Sequence, residues 1–118
     1  VFESTLVLAD TMEDVPMLGL PCIEAKGADR PFPAVEWSGL YGSIYPAVWS
    51  FQLALRSRGL GSTLTTLHLR HADEAAELLG LPADLMQVAL LPVAYTVGTD
   101  FKRAVRPPVE NIIRWNRW

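Results

Sequence analysis

Three cations stand close together near the C-terminus of this 118-residue chain: Lys102, Arg103 and Arg106, beside Pro107 and Pro108. Arginine meets a phosphate with two parallel hydrogen bonds, so the cluster is a candidate anion site, and a solvated basic loop is its plain alternative. Residues 101–118 hold five cations and one acid, whereas the first hundred residues hold five cations and twelve acids. The whole chain carries a net charge of −3. An acidic body with a cationic tail repels bulk nucleic acid and suits a small phosphate-bearing ligand. A second set is the hydroxyl-rich run Ser62, Thr63, Thr65 and Thr66. It reads either as ordinary β-strand threonines or as hydroxyl and backbone donors at the edge of a cofactor.

Other reactive residues carry less. Gly59-Leu60-Gly61 invites a dinucleotide reading, but Leu64 stands where the third glycine belongs and the pair closes a helix instead of opening one. A helix cap followed by a tight turn is the better account. His68 and His71 have the i, i+3 spacing of a metal pair, yet no Cys or acid lies at useful local spacing, so solvated loop histidines are expected. Cys22, on an apolar run without an adjacent cation, reads as inert packing. A single cysteine excludes a disulfide framework within the chain. Trp115 and Trp118 close the sequence, and large aromatics on a terminal segment call for burial, against a second subunit or against their own domain.

The elements that position these residues follow from periodicity and punctuation. Residues 3–13 predict a short helix that Val15-Pro16 ends. Residues 17–24 read as one buried strand, with Pro21 marking an edge or bend, and the Lys26-Gly27 turn opens a loop over 25–42. Residues 43–58 predict the main helix, with Ser43 as N-cap and Pro46 in the tolerant first turn. Ile44, Ala47, Val48, Phe51, Ala54 and Leu55 recur at helical spacing, so this helix is expected to be largely buried, with Phe51 and Ala54 among its least exposed positions. Residues 60–67 suggest a short strand, and 73–79 a helix capped by Asp73 and closed by Gly80. Residues 85–95 read as an apolar strand, 97–108 as a basic loop and 109–118 as an aromatic tail. This alternation indicates an α/β layered fold in one domain. No apolar run has the ~18–20 residues of a membrane span, and no leader-like segment opens the chain, so the expected compartment is cytoplasmic.

Taken in order, several segments resemble the C-terminal part of the FMN-dependent nitroreductase family. They are Ser43-Ile44-Tyr45-Pro46-Ala47-Val48-Trp49, the helix end Ala54-Leu55-Arg56-Ser57-Arg58-Gly59-Leu60-Gly61-Ser62, and Glu77-Leu78-Leu79-Gly80-Leu81-Pro82. The strand over residues 88–95 and Arg106-Pro107-Pro108-Val109-Glu110 complete the set. The resemblance implies an α+β, three-layer α-β-α sandwich, present here as a partial domain over residues 1–118 without the family's N-terminal portion. It implies FMN as cofactor, NAD(P)H as electron donor and a nitroaromatic or quinone-type acceptor. Thr65, Thr66 and Leu67 match the segment whose backbone lies along the flavin ring. Arg106 matches the phosphate ligand, with Lys102 or Arg103 as helpers. A homodimer built on the 43–58 helix and the C-terminal tail is implied as well, with neither nucleic acid nor membrane as partner. A non-catalytic flavin-binding or dimerisation module is the alternative.

Overall fold

The apolar run 85–95 does not form one strand. In the computed structural model, which describes residues 2–25, 33–98 and 100–118, it splits into β4 (Leu85–Gln87) and β5 (Leu91–Tyr95). The run 17–24 splits in register with it, into β1 (Met17–Gly19) and β2 (Cys22–Glu24). β1 pairs antiparallel with β5, and β2 with β4. Between the two ladders, Leu20 and Pro21 on one side face Val88, Ala89 and Leu90 on the other. That extra residue acts as a bulge and bends the pair. Pro21 thus breaks the run as its type predicts, and its carbonyl accepts the Val88 N–H at 3.0 Å.

β3 (Leu60–Ser62) completes a three-stranded sheet in the order β1-β5-β3. The core sits where the bend meets the helices: Val88, Ala89, Leu91 and Val93 are buried, with Val48, Leu55 and Ala25.

The helix α1 (Phe2–Asp10) is followed by a 3₁₀ turn at Met12–Asp14. The long helix α2 spans Ala34–Arg56, nine residues earlier at its start than the periodicity indicates. Pro33, not Ser43, precedes its first turn, and Pro46 lies in its interior. The expected loop therefore ends before Ala34, and the Lys26-Gly27 turn lies outside the described residues. Gly39 and Gly42 each disfavour helix by about 1 kcal/mol, which is why the segment reads as loop. The contrary signal was the spacing of Trp37, Tyr41 and Tyr45. Their rings stack along one helix face at 5.5 and 5.6 Å. Tyr45 Oη then donates to the Val88 carbonyl at 3.2 Å, pinning α2 to the bend.

α2 lies on the sheet face that carries Leu91 and Val93, where Gln52 Nε2 donates to Ser62 Oγ at 3.0 Å. Val48 and Leu55 are buried there, but Phe51 is 44% exposed and Ala54 is exposed too. The expectation that Phe51 and Ala54 are among the least exposed positions of this helix is corrected: within one chain the helix covers only the stripe that meets the sheet. α3 (Ala72–Leu79) starts one residue before the expected helix, with His71 rather than Asp73 at its N-cap, and ends at Gly80 in the left-handed conformation, φ 63°. Residues 101–118 are exposed throughout and contain one 3₁₀ turn, Val109–Asn111, so the reading of a tail packed on its own domain is also corrected. Among the described residues no helix is long and apolar enough to cross a membrane.

Gly61 sits where a side chain has no room, because a Cβ there collides with the Thr96 methyl group. Thr96 is held in that rotamer by its hydroxyl, which donates to the Gly98 carbonyl at 2.9 Å. Gly61→Ala is expected to cost about 1–2 kcal/mol in urea unfolding. In a Thr96→Ser background, which keeps the hydroxyl and removes the methyl, the same change is expected to be nearly neutral.

Candidate functional site

The connection after β3 carries the first group of predicted site residues. Thr65 pairs with Leu90 through two backbone bonds, its N–H donating at 3.0 Å and its carbonyl accepting at 2.8 Å. Both of its backbone groups are spent, which fixes the chain at that point. Leu67 opens a 3₁₀ helix, Leu67–His71, and its N–H reaches Thr65 Oγ1 at 3.4 Å. Thr66 lies between them, exposed, and its N–H makes no backbone hydrogen bond among the described residues. The 60–67 strand expected from the sequence is thus shorter: only Leu60–Ser62 is strand, followed by the single bridge at Thr65.

Lys102, Arg103 and Arg106 lie in the exposed segment after β5. None of the three makes an ion pair or hydrogen bond among the described residues, and no bond joins them to Thr65, Thr66 or Leu67. One chain therefore presents a fixed backbone donor and a set of uncommitted cations, but does not itself tie them into one site.

A cleft of about 460 Å³ lies elsewhere and holds none of these residues. Gln52, Arg56, Thr63, Thr96 and Phe101 line it, together with Leu8, Val15, Pro92 and Ala94. The Arg56 guanidinium stands 4.7 Å from the centre of the Phe101 ring, a cation–π contact between the end of α2 and the start of the basic segment. Sequence reasoning places Arg56 only in the segment that ends the main helix and gives Phe101 no role. No local spacing signals a contact across forty-five positions.

Gly59, at φ 77°, closes α2 and opens no phosphate loop. The Cys22 thiol donates to the Leu20 carbonyl at 3.6 Å, and burial pushes its pKa up, away from the reactive thiolate. His71 Nδ1 meets Glu74 Oε2 at 2.7 Å on the exposed surface. No group of three or more His, Cys, Asp or Glu side chains suited to a metal ion occurs among the described residues.

His68 differs from His71, and the expectation of a solvated loop histidine is corrected there: it lies within the 3₁₀ helix Leu67–His71. Both of its ring nitrogens are shielded from solvent without a hydrogen-bond partner. Desolvation lowers its pKa below the ordinary 6.5. The neutral ring belongs to the folded state, so its contribution is complete above the unfolded pKa and is lost as the pH falls through 6.5 toward the lower folded value. The thermal midpoint is expected to fall between about pH 7.5 and 5.5, and to fall less in His68→Leu.

Comparison with known proteins places these features in a family. The family model described as the Nitroreductase family matches residues 2–96. No curated protein sequence matches the chain significantly. Among solved structures, it is similar to a nitroreductase-like family protein from Bacillus cereus, at 18% identity and a TM-score of 0.69, covering 97% of this chain and 58% of that one. It is similar to oxidized iodotyrosine deiodinase bound to FMN and 3-iodo-L-tyrosine, at 24% identity and a TM-score of 0.64, over 98% of this chain and 59% of that one. It also resembles a BluB-like flavoprotein from Clostridium difficile 630, at 18% identity and a TM-score of 0.62, over 98% and 64%. The chain thus spans about three fifths of the length of each of these structures. With the α+β architecture shared and most of the sequence matched, the chain belongs to the nitroreductase family.

Proposed function

We propose that this chain forms part of an FMN-dependent oxidoreductase that accepts hydride from NAD(P)H and reduces nitroaromatic, quinone-type or related small acceptors. The observation that carries the reading is the Thr66 backbone N–H, held in place by the fully bonded Thr65 beside it and committed to no backbone acceptor among the described residues. A fixed, uncommitted donor of this kind suits a flavin ring edge. The exposed cations Lys102, Arg103 and Arg106 suit its phosphate, with Arg106 as the main ligand. When bound, FMN supplies the hydride and electron transfer itself, so the protein needs no catalytic triad. The residues here bind and orient: Thr65, Thr66 and Leu67 along the ring, and the basic segment at the phosphate. The FMN-bound deiodinase and the BluB-like flavoprotein that share the fold support a flavin.

The working unit in this reading is a homodimer built on α2 and the tail. Trp49, Phe51 and Leu53 on α2 are exposed in the single chain, and so are Ile112, Ile113, Trp115 and Trp118 at its end. Trp115 is 82% and Trp118 95% exposed. Such a set of large apolar side chains is characteristic of a surface that another chain covers. A second subunit also supplies what one chain lacks, a means of bringing the cations to the Thr66 donor.

Two measurements test the reading. Arg106→Ala is expected to weaken FMN binding by ~1.5–3 kcal/mol in a flavin-fluorescence titration, the scale of a charged hydrogen bond. Unchanged affinity removes Arg106 from the site, and a protein that takes up flavin without being bleached by NAD(P)H is a binding module instead. Deleting residues 113–118 is expected to shift the species toward monomer in sedimentation velocity and to release flavin with it. A truncated protein that keeps the same dimer and flavin content rules out the tail as the link.

A further inference from the structure

Three aromatic side chains on α2 stand four residues apart: Trp37, Tyr41 and Tyr45. Residues at i and i+4 lie one above the other on a helix face, and these rings use that placement to stack. The Trp37 and Tyr41 planes are 14° apart, and those of Tyr41 and Tyr45 are 23° apart. With centres 5.5 and 5.6 Å apart, each ring lies in stacking range of the next. One end is rigid, because the Tyr45 hydroxyl donates to the carbonyl of Val88, which is 1% exposed. A ladder that serves packing alone buries its middle ring. Here the middle ring is the open one: Tyr41 is 37% exposed, while Trp37 and Tyr45 are half-buried. None of the residues assigned above to flavin belongs to the stack.

Indole and phenol are the aromatic side chains that most readily give up a single electron, and exchange between rings slows steeply with separation. Stacked rings therefore exchange an electron before two protein molecules meet. At neutral pH a tyrosyl radical is more stable than a tryptophanyl radical, so an oxidising equivalent placed on Trp37 passes to Tyr41. The phenolic proton must leave with the electron, because an oxidised phenol is a strong acid. Tyr41 faces water, which takes that proton. Tyr45 gives its hydroxyl to a peptide carbonyl, too weak a base to accept the proton, so the transfer ends at Tyr41. We infer that Trp37 and Tyr41 form a one-electron relay that carries an oxidising equivalent from the half-buried indole to the surface, where a soluble reductant of the thiol or ascorbate class removes it. The oxidant is a one-electron oxidising radical. It takes an electron from the Trp37 indole, whose N–H proton goes to water, and is itself reduced to its anion. The indolyl radical then takes an electron from Tyr41 and a proton from water, while the Tyr41 phenol loses its proton to water. The reductant returns one electron and water one proton to the phenoxyl, which restores Tyr41. This relay is independent of the flavin reading.

The test is pulse radiolysis of the full chain with azide radicals, which oxidise indole in preference to phenol. Decay of the indolyl absorbance with matching growth of the tyrosyl band is expected, at a rate that does not depend on protein concentration. That phase is expected to be lost in Tyr41→Phe and in Trp37→Phe. It is expected to be kept in Tyr95→Phe, which removes an exposed phenol outside the stack. Tyr41→Phe retains the ring and its stacking, and circular dichroism checks the fold. Ascorbate is expected to speed the decay of the tyrosyl signal. Absence of a concentration-independent phase overturns the inference. So does a phase that either Phe variant in the stack leaves unchanged, or a tyrosyl signal that ascorbate does not shorten. Loss of the phase in Tyr95→Phe assigns the end of the transfer to Tyr95 and equally overturns it.

Discussion

Val88 is 1% exposed, and three parts of the chain meet at its backbone. Its N–H donates to Pro21, between β1 and β2, and its carbonyl accepts the Tyr45 hydroxyl from α2. Two residues on, Leu90 exchanges two backbone bonds with Thr65, and one residue before it Gln87 donates to Ala72 at the start of α3. Buried backbone groups must be paired, so a bend placed inside the core has to recruit partners from whatever lies around it. The bulge between the two ladders creates that demand. The elements that satisfy it are the ones whose positions matter for the rest of the molecule. Removing any one of them leaves an unpaired group in the least accessible part of the fold.

The candidate flavin donor is a consequence of this arrangement. The Thr65–Leu90 bridge uses up both backbone groups of Thr65 and fixes the chain where it leaves β3. Thr66 is then carried past the sheet with its N–H uncommitted, immediately before the 3₁₀ helix begins. The cations lie in a segment that makes few contacts with its own body, the Arg56–Phe101 stack being one of them. Rigid donor and exposed cations thus belong to regions of very different packing. A site that needs both depends on assembly more than on the fold of one chain.

The same division runs through the hydrophobic surface. α2 buries Val48 and Leu55 against the sheet and leaves Trp49, Phe51 and Leu53 outside. A helix apolar around most of its circumference has more than one partner, and one sheet face supplies only the first. Beside α3 the unmet demand is polar instead: the Gln87 Oε1 is buried and has no hydrogen-bond partner among the described residues.

Local residue types determined a good deal of this protein. The cap at Gly80, the turn after Gly59, the break at Pro21 and the charge division at residue 101 are all legible in the sequence, because each depends on neighbours a few positions away. The ordered string of segments around 43–62 and 106–110 was enough to point to the family. Tertiary structure decided the rest. α2 begins at Ala34 despite Gly39 and Gly42, since the Trp37–Tyr41–Tyr45 stack and the Tyr45–Val88 bond outweigh two unfavourable propensities. One apolar run became two strands in two sheets because the bulge is defined by register against a partner strand, which no periodicity records. The exposure of Phe51, the Arg56–Phe101 contact and the orphaned oxygen of Gln87 are likewise set by residues far away in the chain. Periodicity tells which residues share a face of one element, and only packing decides what that face meets.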